Sequence, residues 1–227
     1  MTLYAVLARR GFCSPDQLEA FGVNGHIRDI CQRMAAEGFV ALAPELFHRS
    51  APPGYEGSYD QMEAAIAQVR ALTESGLEAD IRAAHQALAA DSAVDASRIV
   101  SIGFCMGGRV SFLADAELPL RASISFYGGG IGSVQPSERT PRAPLDFADG
   151  LRCPMLLFFG EDDPFIPVEE VEKIKRRLAE LEKNAQTIVY PGAPHGFFCP
   201  ERDSYRVDAA RDAWQRLLRF FEQHLKS

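Results

Sequence analysis

Short runs of continuous apolar residues alternate along this chain with stretches whose apolar positions recur every three or four residues. Phe39–Ala43, Arg98–Phe104, Ala122–Tyr127, Met155–Phe159 and Thr187–Tyr190 are of the first kind and predict buried strands. The second kind predicts helices over Arg28–Glu37, ended by Gly38, and over Tyr59–Leu72, where Met62, Ile66, Val69 and Leu72 fall on one face. Further helices are predicted over Glu78–Ala90, Gly107–Asp115, Val168–Glu182 and Ser204–His224. Strands that are apolar on both faces and separated by helices indicate a mostly parallel sheet covered on both sides, an α/β fold. Residues 128–150, rich in Gly, Pro and Ser, form the longest stretch without a periodic pattern and predict a loop on the active-site side of the sheet.

A length of 227 residues is consistent with a single α/β domain spanning 1–227. The net charge of −7, with no basic run, argues against a nucleic-acid surface. No apolar stretch approaches the roughly 20 residues that cross a bilayer. The first residues lack the charged and cleavable features of a signal peptide. Five cysteines at irregular spacing form no zinc or disulfide pattern and point to free thiols in a reducing, cytoplasmic compartment. These features leave a small-molecule partner, with no cofactor or metal, in a monomer or homodimer.

Gly103-Phe104-Cys105-Met106-Gly107 follows a predicted strand and opens a predicted helix, the setting of a nucleophile elbow. The backbone N–H of Met106, at that helix start, is placed to meet a developing oxyanion. Strand Met155–Phe159 runs into Gly160-Glu161-Asp162-Asp163-Pro164-Phe165-Ile166-Pro167, and strand Thr187–Tyr190 into Pro191-Gly192-Ala193-Pro194-His195-Gly196. Each turn presents a catalytic residue type beyond the carboxyl end of a strand, where sites in open parallel sheets collect. The order nucleophile, acid, histidine suits this fold class. Asp162 is the competing acid, and the Gly-x-x-Asp-x-x-Ile-Pro frame favours Asp163.

Glu19-Ala20-Phe21-Gly22-Val23-Asn24, Ala43-Pro44-Glu45-Leu46-Phe47, Gly103-Phe104-Cys105-Met106-Gly107-Gly108 and Pro194-His195-Gly196-Phe197 together resemble the dienelactone hydrolases of the α/β-hydrolase superfamily. The resemblance runs from about residue 19 to the C-terminus, and the elbow cysteine makes it specific. It implies a Cys105-Asp163-His195 triad and hydrolysis of small lactones or activated esters. It also implies that Glu19 contacts the resting thiol and that Ala20 supplies a second oxyanion N–H. A carboxylate beside the thiol would disfavour the thiolate until substrate displaces it.

The resemblance further implies arginines that hold a substrate carboxylate. Arg49 is one match; the other position, four after the histidine, holds Cys199, with Arg202 three residues on. The chain departs from the family pattern in residues 1–18. Arg9–Leu18 does not read as the apolar strand expected before Glu19. Either one strand is absent, or Leu3–Ala8 takes the inner position with a long loop to Glu19, or the segment reflects an altered start of the coding region. A non-catalytic binding protein and a redox-sensing thiol protein are the competing functional classes. An oriented imidazole beside Cys105 favours catalysis over both.

Overall fold

The computed structural model describes residues 2–9 and 24–225. Its elements, in order, are strand β1 (Thr2–Arg9), helix α1 (Gly25–Ala36), β2 (Phe39–Leu42), α2 (Met62–Ala71), α3 (Glu74–Ala89), β3 (Val100–Cys105) and α4 (Met106–Glu117). They continue as β4 (Ala122–Phe126), β5 (Met155–Gly160), α5 (Val168–Glu180), β6 (Ala185–Tyr190) and α6 (Val207–Leu225). The sheet order is β2-β1-β3-β4-β5-β6. β3 through β6 run parallel, and β1 is antiparallel to both its neighbours. Of the alternatives open for the first residues, β1 takes the inner position, with Tyr4 opposite Gly103 of the nucleophile strand.

The predicted elements are present with ends shifted by a few residues. Local chemistry explains several boundaries. Asn24 caps α1 by accepting the N–H of Ile27, and Gly38 closes it in the left-handed region (φ 87°), donating to the Ala35 carbonyl. Thr73 caps α3 by accepting from Gly76, which starts that helix earlier than its apolar periodicity predicts. Residues 128–150 are not structureless: Pro144–Gly150 winds into a 3₁₀ turn whose Leu145, Phe147 and Ala148 are buried. The Asp146 carboxylate accepts the N–H of Ala143 and fixes the start of that turn.

The two faces of the sheet are built differently. Along β3 to β5, Phe104, Phe126 and Phe158 sit in register on adjacent strands and stack at ring-centroid distances of 4.5 and 4.6 Å. Phe198 leans on Phe126 at 4.8 Å and closes this aromatic layer. The face beneath α4 is made of small residues. Ser101 and Ser123 hydrogen bond to each other, and Ser123 donates to the Ser111 carbonyl of α4. A Cβ on Gly108 of α4 would lie 2.7 Å from Ser125 Oγ and 2.8 Å from the Phe126 carbonyl oxygen. The helix that follows the nucleophile strand therefore lies almost against the sheet backbone.

Phe126 is fully buried at the middle of the stacked rings, so truncation removes both area and edge contacts. Phe126→Ala should cost about 3–5 kcal/mol of unfolding free energy, read from urea denaturation. A loss below about 1 kcal/mol would mean that the layer relaxes around the gap and does not fix the sheet.

Candidate active site

β3 ends at Cys105 and α4 begins at Met106, with no loop between them. The chain turns within Cys105 itself, which adopts φ 54° and ψ −118°. A non-glycine residue rarely occupies that region, and doing so costs about 1–3 kcal/mol. The turn holds the thiol out from the sheet edge, and the Met106 N–H donates to Cys105 Sγ.

The acid and the histidine arrive on the two neighbouring strand ends. Gly160 ends β5 so close to the Ala193 carbonyl that a Cβ there would collide with it. The Glu161 N–H donates to the Tyr190 carbonyl and the Asp162 N–H to that of Ala193, tying the β5 turn to the loop after β6. Because the Asp162 backbone is used in this way, its side chain faces solvent and the next carboxylate turns inward. Asp163 is buried; its Oδ1 accepts the N–H groups of Phe165 and Ile166, and its Oδ2 lies 2.7 Å from His195 Nδ1. The Asp163 side chain is 0 % exposed and that of His195 7 %, so the pair is shielded from water.

His195 also hydrogen bonds with Cys105. Its ring is packed edge to face by Tyr127 and Phe165, at 5.1 and 5.2 Å. Burial acts against the charge on each group and is the largest single influence on both. For Cys105 it is outweighed by surrounding positive charge, by the hydrogen bond to His195 and by the Met106 N–H, and the thiol is lowered to about 6. For His195 burial is outweighed by the Cys105 sulfur and the Asp163 carboxylate, and the imidazole is raised to about 9. Both shifts favour a thiolate–imidazolium pair. The buried Cys153 behaves oppositely: burial and the neighbouring Asp115 push its thiol far upward, into the unreactive neutral form.

These groups open onto a cavity of about 300 Å³. Met62, Ala65, Ile66 and Val69 of α2 form an apolar wall opposite Cys105. Arg70, Arg109 and Arg202 also line the cavity, and Phe165 stands beside His195 with 59 % of its surface exposed. Among the described residues, no group of three or more His, Cys, Asp or Glu is placed to hold a metal ion. No helix there is long and apolar enough to cross a membrane.

The structure thus brings together Cys105, Met106, Asp163 and His195, with Arg202 on the cavity wall, its guanidinium carbon 5.4 Å from the centre of the Tyr59 ring. Arg49 is placed elsewhere. It does not line the cavity, and its guanidinium makes a two-pronged ion pair with Asp80 of α3, at 2.6 and 2.9 Å. The Arg49 guanidinium, expected at the substrate, is thus held on α3 by Asp80. Glu19 and Ala20 lie outside the described residues. Arg109, Arg70 and Phe165 also line the cavity and carry no motif signal in the sequence.

A family model described as the dienelactone hydrolase family matches residues 18–225. The chain belongs to the dienelactone hydrolase family. Members of this family are hydrolases of ester and lactone bonds. The chain is 38 % identical over 212 residues to a Synechocystis sp. protein named "Putative carboxymethylenebutenolidase", covering 92 % of this chain and 84 % of that one. It is 31 % identical over 204 residues to a Bradyrhizobium sp. protein named "Probable 2-oxo-3-(5-oxofuran-2-ylidene)propanoate lactonase", covering 90 % of this chain and 80 % of the other. Among solved structures, one titled "Putative Dienelactone Hydrolase", from Klebsiella pneumoniae, matches with a TM-score of 0.83 and 32 % identity over 97 % of this chain and 93 % of that one.

The thiol lowered to about 6 sets a pH dependence for alkylation. Thiolate is the reactive form, so iodoacetamide should label Cys105 at a rate half-maximal near pH 6, falling as pH drops below it. An ordinary cysteine reaches that point near pH 8.5. Peptide mapping should find Cys105 labelled ahead of Cys31, Cys153 and Cys199. A half-maximal rate above pH 8 would show that the ion pair does not form.

Proposed function

We propose that this dienelactone hydrolase relative cleaves small lactones or activated esters by acyl transfer through a Cys105 thioester, in the manner of a carboxymethylenebutenolidase. The observation that carries this reading is the continuous chain Cys105–His195–Asp163, with the sulfur at the cavity and the carboxylate sealed beneath it. The Cys105 thiolate attacks the acyl carbon, and the carbonyl oxygen becomes an oxyanion facing the Met106 N–H. Collapse expels the alkoxide or enolate, which takes its proton from His195. His195, now neutral, draws a proton from the attacking water, and the second collapse releases the acid and restores the thiolate–imidazolium pair. Asp163 holds Nδ1 and so keeps the other ring nitrogen aimed at sulfur and water.

Thiolate is a good leaving group from a tetrahedral intermediate. Acyl transfer therefore succeeds when the departing oxygen is itself a good leaving group, as in enol lactones and aryl esters. The printed name of the Bradyrhizobium relative describes such a substrate, an unsaturated oxofuran lactone joined to a propanoate. The apolar wall of α2 and the small volume favour a compact ring of that kind. Arg202, which also lines the cavity, is a candidate contact for its polar end. The described cysteines, all free thiols, support a reducing location such as the cytoplasm.

An enol-lactone and aryl-ester panel tests the assignment. Cys105→Ala should abolish turnover, and the wild-type protein quenched during turnover should show an acyl adduct on the Cys105 peptide by mass spectrometry. Asp163→Asn should lower kcat by about 10²- to 10⁴-fold through loss of the oriented imidazole, while Asp162→Asn stays close to wild type. Full activity in Cys105→Ala would sink the mechanism; the reverse ranking of the two aspartates would move the acid to Asp162.

A further inference from the structure

Among the described residues every phenylalanine is buried except Phe165, which leaves 59 % of its surface exposed. A loose turn does not account for that exposure. Pro164 and Pro167 stiffen the segment, and the Phe165 and Ile166 N–H groups both donate to Asp163 Oδ1, at 2.8 and 3.2 Å. The ring is therefore carried on the same turn that fixes the catalytic acid. It stands nearly perpendicular to the His195 imidazole, at 83°, with the ring centres 5.2 Å apart. The other ring packed edge to face on that imidazole, Tyr127, is fully buried. Phe165 thus turns apolar surface into the cavity beside His195.

Gly129, in the turn after β4, lines the same cavity. A Cβ there would meet nothing nearer than the Ile166 side chain, at 3.9 Å, and the residue is not in the left-handed region. Neither packing nor backbone conformation requires glycine at this position. Its neighbours differ: a Cβ on Gly128 would lie 2.6 Å from Ser125 Oγ, and one on Gly130 2.3 Å from Val134. What glycine provides at 129 is room, bordered by the residue that follows Phe165.

We propose that Phe165 and the space at Gly129 form a leaving-group subsite that selects open-chain aryl esters, the departing phenol ring packing on Phe165. His195 gives its proton to the departing oxygen, so whatever that oxygen carries lies beside the imidazole while the acyl group stays on Cys105. In the acylation step a C–S bond forms, the acyl C–O bond breaks, and the phenoxide leaves with the His195 proton. Water then releases the acyl group as the acid. Aromatic rings prefer offset-stacked or edge-to-face pairing, and a flat ring on Phe165 also covers surface that water otherwise meets. The subsite rests on the acyl-transfer reading for which end of an ester lies at His195, and it extends the substrate class beyond lactones.

Phenyl acetate and vinyl acetate test it on the purified full-length protein. They share an acyl group and release oxygen acids of similar strength, but only one carries a ring. The ratio of their kcat/KM values, phenyl over vinyl, divided by the same ratio for reaction with glutathione thiolate, measures ring preference at the leaving group. The wild-type protein should exceed glutathione by about 10-fold or more, and Phe165→Ala should lose most of that excess. Gly129→Val, which fills the space, should lower it as well. The phenyl acetate to phenyl butyrate ratio should stay as in wild type in Phe165→Ala, because those esters differ only at the acyl end. A wild-type ratio no higher than that of glutathione overturns the proposal. Equal slowing of the phenyl and vinyl esters in Phe165→Ala also overturns it, since the ring then only steadies His195. If neither ester turns over, the hydrolase reading falls and phenol itself decides the subsite. Slower alkylation of Cys105 by iodoacetamide when phenol is present, with the effect weakened in Phe165→Ala, leaves the subsite standing; no slowing overturns it.

Discussion

Cys105 completes the last turn of a strand and the first of a helix at once, in a backbone conformation that a side chain resists. Everything at the site is arranged around holding that one residue there. The conformation persists because both flanking elements are fixed independently of it. β3 is anchored by the stack of Phe104 on Phe126 and Phe158, and α4 is pressed onto the sheet through Gly108. With strand and helix both immovable, the residue between them has no lower-energy option that keeps the core intact. The same bend aims the sulfur outward and leaves the Met106 N–H, freed from helical pairing, directed at it.

The second requirement is that two loops from separate strands meet that sulfur with ångström precision. Parallel strands β5 and β6 deliver their turns to the same edge, but adjacency alone leaves the turns free to move. The close approach of Gly160 to the Ala193 carbonyl, and the backbone bonds of Glu161 and Asp162 across to the β6 side, join them. Asp163 is then fixed twice over, by the Phe165 and Ile166 N–H groups on one oxygen and His195 on the other. A carboxylate so bound has no freedom left with which to follow a moving imidazole, so the imidazole is what is held still.

How much of this could be read from the chain follows from the range of the interactions. The elbow, the acid turn and the histidine turn are local features, each a strand followed by turn-forming residues, and all three stood out. Asp163 could be preferred to Asp162 from the Gly-x-x-Asp-x-x-Ile-Pro frame, while the reason it is buried, the Asp162 N–H bonded to Ala193, is a contact between distant segments. Arg49 looked like a ligand because nothing in its own segment reveals Asp80, 31 residues away. The antiparallel placement of β1 was likewise invisible, since apolar runs specify burial but not direction.

Charge and burial at this site can be understood only together. Alone, a buried Cys105 would hold its proton and a buried His195 would give its own up, since desolvation opposes the charged form of each. Side by side, each is the other's counter-ion, and Asp163 tips the balance further by stabilising the imidazolium. The charged pair is therefore a joint property of three residues supplied by three strand ends. It is also net neutral for cysteine and histidine, leaving the Asp163 charge buried beneath and the arginines of the cavity above.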